Sequence, residues 1–282
     1  MKQPFLLTSR SRWTVAFRWC ATAVLALAIL GPVNVWASEF AIVVSPPRFE
    51  LKVKPGERTR HVLEITNASA EATPLTIKTA DWSLGKDNSV TFFDELQVGS
   101  CRPWVAVERR TLTVAGGRPY RFRFEVNVPT DARPEECRLA IMLEGQQQVT
   151  KAQGGVDIPF SARVGVVIYL AIGGAEPILT IAGAEVQTIN GKPTPVLLVK
   201  NSGTAHGRLG GFLSGTDASK NSLEFTASNS PILAGETRPI ALAATRPGDP
   251  ETAVDVKFPV TVTGKIEWGS GKSQNIEQRF AP

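Results

Sequence analysis

An all-β chain built as two sandwiches in tandem is what this sequence predicts, on three observations. After residue 37 no stretch repeats apolar side chains at the helical spacing of three and four. Short runs rich in Val, Ile, Thr and aromatic residues recur instead every 8–15 positions, set apart by Gly, Pro, Asn and Asp. The sequence Gly173-Gly174-Ala175-Glu176-Pro177 then divides these runs into two sets.

The start of the chain stands apart from the fold. Lys2, Arg10, Arg12 and Arg18 precede an apolar run over 19–30, followed by Gly31-Pro32 and by Val35-Trp36-Ala37. A basic start, a short apolar centre and small residues at −3 and −1 describe a secretory signal peptide, 1–37, cut after Ala37. The run falls short of the about 20 residues a membrane span needs, so no membrane insertion is expected after cleavage. Cys20 follows Arg18 and Trp19, where a lipidation signal would want small residues, and is not read as a lipid site. This segment holds four of the 31 basic residues and none of the 26 acidic ones. The exported part is therefore close to neutral, which argues against a nucleic-acid partner.

The first set of runs occupies 38–174. Strands are expected at 41–44 and 48–53, then, after a Pro55-Gly56 turn, at 59–67, where His61, Leu63 and Ile65 share one face. Further runs lie at 75–82, 90–96, 104–107 and 111–114. The clearest is 118–128, in which Tyr120, Phe122, Phe124, Val126 and Val128 alternate with Arg121, Arg123, Glu125 and Asn127. That alternation predicts an antiparallel strand with one wet face. Leu139, Ile141 and Leu143 mark another strand at 138–143.

The last run of the set, 156–172, is the most informative. Val156, Ile158, Phe160, Ala162, Val164, Val166, Ile168, Leu170 and Ile172 are all apolar and all of one parity. In a strand they project from one face, over a length beyond the usual 3–10 residues. Two readings stay open: a long central strand of the core, or an edge kept to pair with another chain. Counted together, the runs suit one immunoglobulin-like sandwich.

The second set occupies 175–282, with runs at 178–181, 186–189, 196–200, 209–214, 223–227, 240–244, 254–262 and 264–268. It predicts a second, shorter immunoglobulin-like sandwich joined by a short, stiff elbow.

Two cysteines, Cys101 and Cys137, remain after export into an oxidising compartment, so a disulfide between them is expected. Their spacing excludes a CxxC redox site. No enzyme is expected. The only histidines, His61 and His206, lie in different sets, and there is no HExxH, GxSxG, phosphate loop or Cys/His ligand cluster. His61 reads as a half-buried, hydrogen-bonded strand residue and His206 as part of a turn. Glu135-Glu136 beside Pro134 reads as a solvated loop. Neither a metal nor a cofactor is implied.

Several segments resemble one known family. Ser45-Pro-Pro-Arg48-Phe-Glu-Leu51, the Pro55-Gly56 turn and Arg60-His-Val-Leu-Glu-Ile-Thr-Asn67 look like the N-terminal domain of periplasmic pilus-assembly chaperones. Ser161-Ala-Arg-Val-Gly-Val-Val-Ile-Tyr169 resembles the strand that ends that domain. Val199-Lys-Asn-Ser-Gly-Thr-Ala-His206 and Pro231-Ile-Leu-Ala-Gly-Glu-Thr-Arg238 look like the second domain of its non-classical branches.

The resemblance implies a periplasmic protein that caps fimbrial or pilus subunits and delivers them to an outer-membrane usher, without ATP or metal. Such subunits are sandwiches missing a strand, and the chaperone fills the open groove with alternate residues of its own edge. On this reading the lent residues are Val156, Ile158, Phe160 and Ala162, with Val164 as a fifth. Val167 and Tyr169, on the other face, would pack in the chaperone's own core. Arg48 matches the cleft arginine that grips the subunit's terminal carboxylate, since a guanidinium can donate two parallel hydrogen bonds to it. The partner lysine of that grip is absent; Gly165 stands in its place, and Arg163 is the candidate substitute. The competing reading is an exported structural or adhesive tandem-sandwich protein with no chaperone activity.

Overall fold

Alternation decides which residues enter the core. The computed structural model describes residues 40–151 and 156–282, so the expected signal segment and Cys20 lie outside the described residues. Residues 40–282 form one compact unit. The strands of the first sandwich begin with β1 (Ile42–Ser45), β2 (Arg48–Val53), β3 (Arg58–Asn67), β4 (Thr73–Leu84), β5 (Val90–Phe93) and β6 (Val105–Val107). They continue with β7 (Thr111–Val114), β8 (Pro119–Asn127), β9 (Glu136–Gly145), β10 (Gln148–Lys151), β11 (Asp157–Phe160) and β12 (Arg163–Ile172). One sheet runs β1-β3-β8-β6; the facing sheet runs β2-β12-β9-β4-β5, with β7 beside β4.

Between these sheets Leu63 and Ile65 of β3 meet Phe122, Phe124 and Val126 of β8, while Arg121 and Arg123 stay in water. From the opposite sheet come Leu139, Ile141 and Leu143 of β9 and Val166, Ile168, Leu170 and Ile172 of β12. Burying each large side chain of this kind contributes roughly 1.5–3 kcal/mol. β9 is covered on both faces, because Ala140 and Met142 lie under Trp82 and Tyr169 in a second apolar cluster.

The second sandwich is one curled sheet of β13 (Leu179–Ile189), β14 (Lys192–Asn201), β15 (Gly210–Thr216), β16 (Ser222–Ala227), β17 (Thr237–Arg246), β18 (Asp249–Ala253), β19 (Val260–Trp268) and β20 (Lys272–Phe280). Its order is β13-β14-β17-β16-β15-β19-β20, with β18 on β17. It wraps a core that includes Leu197, Val199, Phe225, Ile240, Val262 and Phe280. The fold is thus all-β, two sandwiches in series.

A buried asparagine closes a corner in each sandwich. Asn67, at the end of β3, donates to the carbonyls of Glu71 and Val114 and accepts from Ser69. Asn201, at the end of β14, donates to the carbonyls of Ala205 and Ile232 and accepts from the amides of Ile178 and Gly203. Each satisfies several backbone groups that would otherwise be buried without partners. Asn201→Ala is expected to cost about 2–3 kcal/mol, since stranded buried groups cost roughly 1–3 kcal/mol each. The urea midpoint checks this; an unchanged midpoint would mean that the amide is dispensable.

Candidate functional site

The run over 156–172 is two strands, not one. β12 enters the sheet between β9 and β2, and the strand is interrupted at Ser161–Ala162, between β11 and β12. Beyond the break β11 pairs antiparallel with β10, Gln148 opposite Phe160 and Lys151 opposite Asp157. β9 and β12 are paired up to Glu144 opposite Arg163. The β9–β10 and β11–β12 chains therefore form one long hairpin whose outer part leaves the sandwich as an arm.

The side chains of that arm have no core. Val156 is 64% exposed, Ile158 46% and Phe160 45%, whereas Val166 and Ile168 of the same parity are fully buried. Val149 of β10 is 62% exposed. Among the described residues β11 has a strand on one side only. That open side continues into β12 as far as Val166, because β2 begins its pairing at Arg48 opposite Val167. Ala162 sits in the break, half-buried, its carbonyl accepting from the Gly145 amide at 3.0 Å. Val164 is half-buried opposite Leu143. Pro159 lies within β11; a proline removes one ladder donor and is tolerated in a sheet only at an edge or bulge.

Val167 and Tyr169 are covered, but not between the sheets. The pleat sends Val166, Ile168 and Leu170 into the sandwich core and Val167 and Tyr169 to the outer face. There they join Ala80, Trp82, Ala140, Met142 and, from the second sandwich, Leu233.

Arg48 and Arg163 lie on this same outer face without converging. Arg48 is opposite Val167, four residues along β12 from Arg163, roughly 13 Å at the rise of a strand. Arg48 Nε donates to Glu50 at 2.7 Å, and Arg163 approaches Glu144 at 4.0 Å. Between them, the ring of Phe92 from β5 covers Gly165. A Cβ at this position would stand 2.5 Å from Phe92 Cζ. A longer side chain here, such as the lysine of the family pattern, would have to displace that ring.

The sandwiches meet at a charged joint around Glu50. His206 Nδ1 and its backbone amide both reach Glu136 Oε2, at 2.5 and 2.9 Å. His206 Nε2 is 3.6 Å from Glu50 Oε1, and Arg208 Nε donates to the same oxygen at 3.3 Å. The His206 ring stacks on Tyr169 with centroids 3.8 Å apart. Beside it the Glu136 amide donates to the Thr204 carbonyl at 2.8 Å and Lys52 Nζ to Ser270 Oγ at 2.7 Å. Elsewhere on the joint, buried Arg238 donates to the Gly85 carbonyl and to Asn88 Oδ1, both at 3.0 Å. The His206 contact, aided by Arg48 and Arg208 and opposed by burial, holds the Glu50 carboxyl down at about 2.

Similar proteins can be set beside this geometry. No family model and no curated protein matches the chain. Solved structures do. The class 5 fimbriae chaperone CfaA matches at 15% identity over 86% of this chain and 99% of its own, with a TM-score of 0.44. A chain of the Salmonella enterica SafA pilin–SafB chaperone complex matches at 11%, over 86% and 98%, with a TM-score of 0.45. One from the CsuC–CsuE chaperone–tip adhesion subunit complex of Acinetobacter baumannii matches at 13%, over 85% and 98%, with a TM-score of 0.43. The chain is similar to fimbrial chaperones.

Other sequence expectations resolve locally. Cys101 and Cys137 are bonded, S–S 2.06 Å, tying the turn at Arg102–Trp104 to the start of β9. His61 is half-buried, bonded to Thr59 Oγ1 at 2.9 Å and packed against Phe49 and Phe124; burial lowers its pKa. Glu136 is not a solvated loop residue, and His206, at the end of the bend it was expected to occupy, is buried with it. Their side chains are 4% and 8% exposed, because each is covered by the other sandwich. Among the described residues no group of three or more His, Cys, Asp or Glu could hold a metal, and no helix is long and apolar enough to cross a membrane.

Proposed function

We propose that this chain is an exported chaperone that lends the open edge of its arm to fimbrial subunits lacking a strand. The observation that carries the reading is the arm itself: alternate large apolar side chains, exposed, on a strand with one unpaired side. A folded protein normally blunts such an edge, because it recruits foreign strands. A subunit with an open groove uses it productively: main-chain hydrogen bonds complete its sheet while Val156, Ile158 and Phe160 fill its pockets. Ala162 and Val164 extend the same row towards the chaperone's own sheet. Pro159 limits how fully the edge can pair, which disfavours indiscriminate association.

In this reading residues 1–37 direct export to the periplasm, 38–174 carry the lent edge, 175–282 form the second domain, and the loaded chaperone hands its subunit to an outer-membrane usher. Arg48 grips the subunit's terminal carboxylate with its Nη donors, Nε being held by Glu50. With Gly165 at the family's lysine position, no lysine shares the grip. Arg163, farther out beside Glu144, meets the subunit closer to the arm.

Arg48→Ala is expected to weaken capture roughly tenfold to a hundredfold, the worth of a charged hydrogen bond of about 1.5–3 kcal/mol. A titration of purified subunit against both proteins measures it; equal affinity would remove Arg48 from the grip. The reading as a whole is tested by co-expression in a periplasm with a fimbrial subunit that lacks its completing strand. A soluble one-to-one complex is expected. A subunit that aggregates equally with and without this chain would instead favour a structural tandem-sandwich protein.

A further inference from the structure

We infer that the joint between the two sandwiches is a proton-controlled lock, closed by a doubly protonated His206 held between Glu136 and Glu50 and released when that ring becomes neutral. This inference stands independently of the strand-lending reading.

Geometry favours the second proton. One ring nitrogen faces Glu136 Oε2 at 2.5 Å and the other faces Glu50 Oε1 at 3.6 Å. A neutral imidazole has one N–H and one lone pair, so one of the carboxylates would then face a lone pair. The imidazolium donates to Glu136 and turns its other N–H toward Glu50 across 3.6 Å, and its charge lies over the Tyr169 ring at 3.8 Å, where an aromatic face favours a cation. The groups facing the ring come from every element packed there. They are Glu50 on β2, with Arg48 on its far side, Glu136 on β9, Tyr169 on β12, with Arg138 beside that tyrosine, and Arg208 next to His206 itself. Arg208 and Arg48 neutralise part of Glu50, but Glu136 has His206 as its close cationic partner.

Burial alone would lower the His206 pKa, and the contacts with Glu136 and Glu50 more than offset it, raising the group above 6.5. A raised histidine contributes stability that is complete below its unfolded value of 6.5 and is lost as pH rises through the folded value. Glu50 runs the other way. Its contribution is complete above 4.5 and is lost as pH falls towards about 2. The joint is therefore tightest between 4.5 and 6.5 and slackens on the alkaline side.

Two readouts test this on the intact chain. With only two histidines, His61 and His206, the ring protons can be followed by NMR through a pH titration. His206 is expected to titrate above 6.5, with a lower midpoint in Glu136→Gln. The second readout is hydrogen exchange at the Glu136 amide, whose bond to the Thr204 carbonyl crosses the joint. Its protection, corrected for intrinsic rates, should fall in the wild type from a pH below the His206 midpoint found by NMR to one above it. In His206→Gln it should be low and equal at both. A wild-type His206 midpoint at or below 6.5, or wild-type protection that does not change across that midpoint, would overturn the lock. So would a pH-dependent loss of protection that persists in His206→Gln. The wild-type measurements decide the matter even where a variant folds poorly.

Discussion

Replacing Ile158 and Phe160 together by Asp is expected to weaken subunit capture by roughly two to four orders of magnitude. Each side chain would forfeit about 1.5–3 kcal/mol of pocket burial, and each new carboxylate would be driven into an apolar groove. The free protein should lose almost nothing, because both residues are already nearly half exposed and lie outside its core. Exposed substitutions of this kind change stability by about 0.5 kcal/mol at most. Binding and melting measured on the same preparation separate the outcomes. Lost capture with an unchanged melting temperature fits a lent edge. A melting temperature that drops by roughly 10 °C would mean that the arm folds back onto its own sandwich.

Removing the disulfide with Cys101→Ala/Cys137→Ala should destabilise the first sandwich by about 3–4 kcal/mol, the chain-entropy value for a loop of this size. The bond spans 36 residues. It fastens the segment before β6 to β9, one residue from Glu136 at the joint. The same segment is held by Asp81, which accepts from the Gln97 amide at 2.9 Å and from Ser100 Oγ at 2.6 Å. Denaturant unfolding of oxidised, reduced and Ala-substituted protein measures the loss. Equal midpoints in all three would show that the Asp81 contacts alone hold the segment.

Much of this architecture could be read from alternation. The β3 and β8 patterns named their buried faces correctly, since an antiparallel strand with one wet face repeats every two residues. The run over 156–172 marked a strand but concealed its break. Parity continues unchanged through Ser161 and Ala162, and what differs is whether a core lies opposite, which periodicity does not encode. The joint was not legible for a similar reason. His206 and Glu136 are 70 residues apart and Arg208 and Glu50 are 158 apart, so neither pair has a local pattern. Gly165 announced a missing lysine, but the phenylalanine from β5 that lies on the glycine left no mark in the sequence near it. The charge cluster at 135–136 misled because burial by a distant domain leaves no mark on a Glu-Glu pair beside a proline.

Backbone hydrogen exchange of the chain alone and with a bound fimbrial subunit tests the lent edge most directly. If the edge is donated, amides on the open side between residues 157 and 166 gain protection on binding, while those of the second sandwich's β16 and β17 do not. A tight complex that leaves exchange over 157–166 unchanged would contradict the account, because the subunit would then be held by a surface other than the arm.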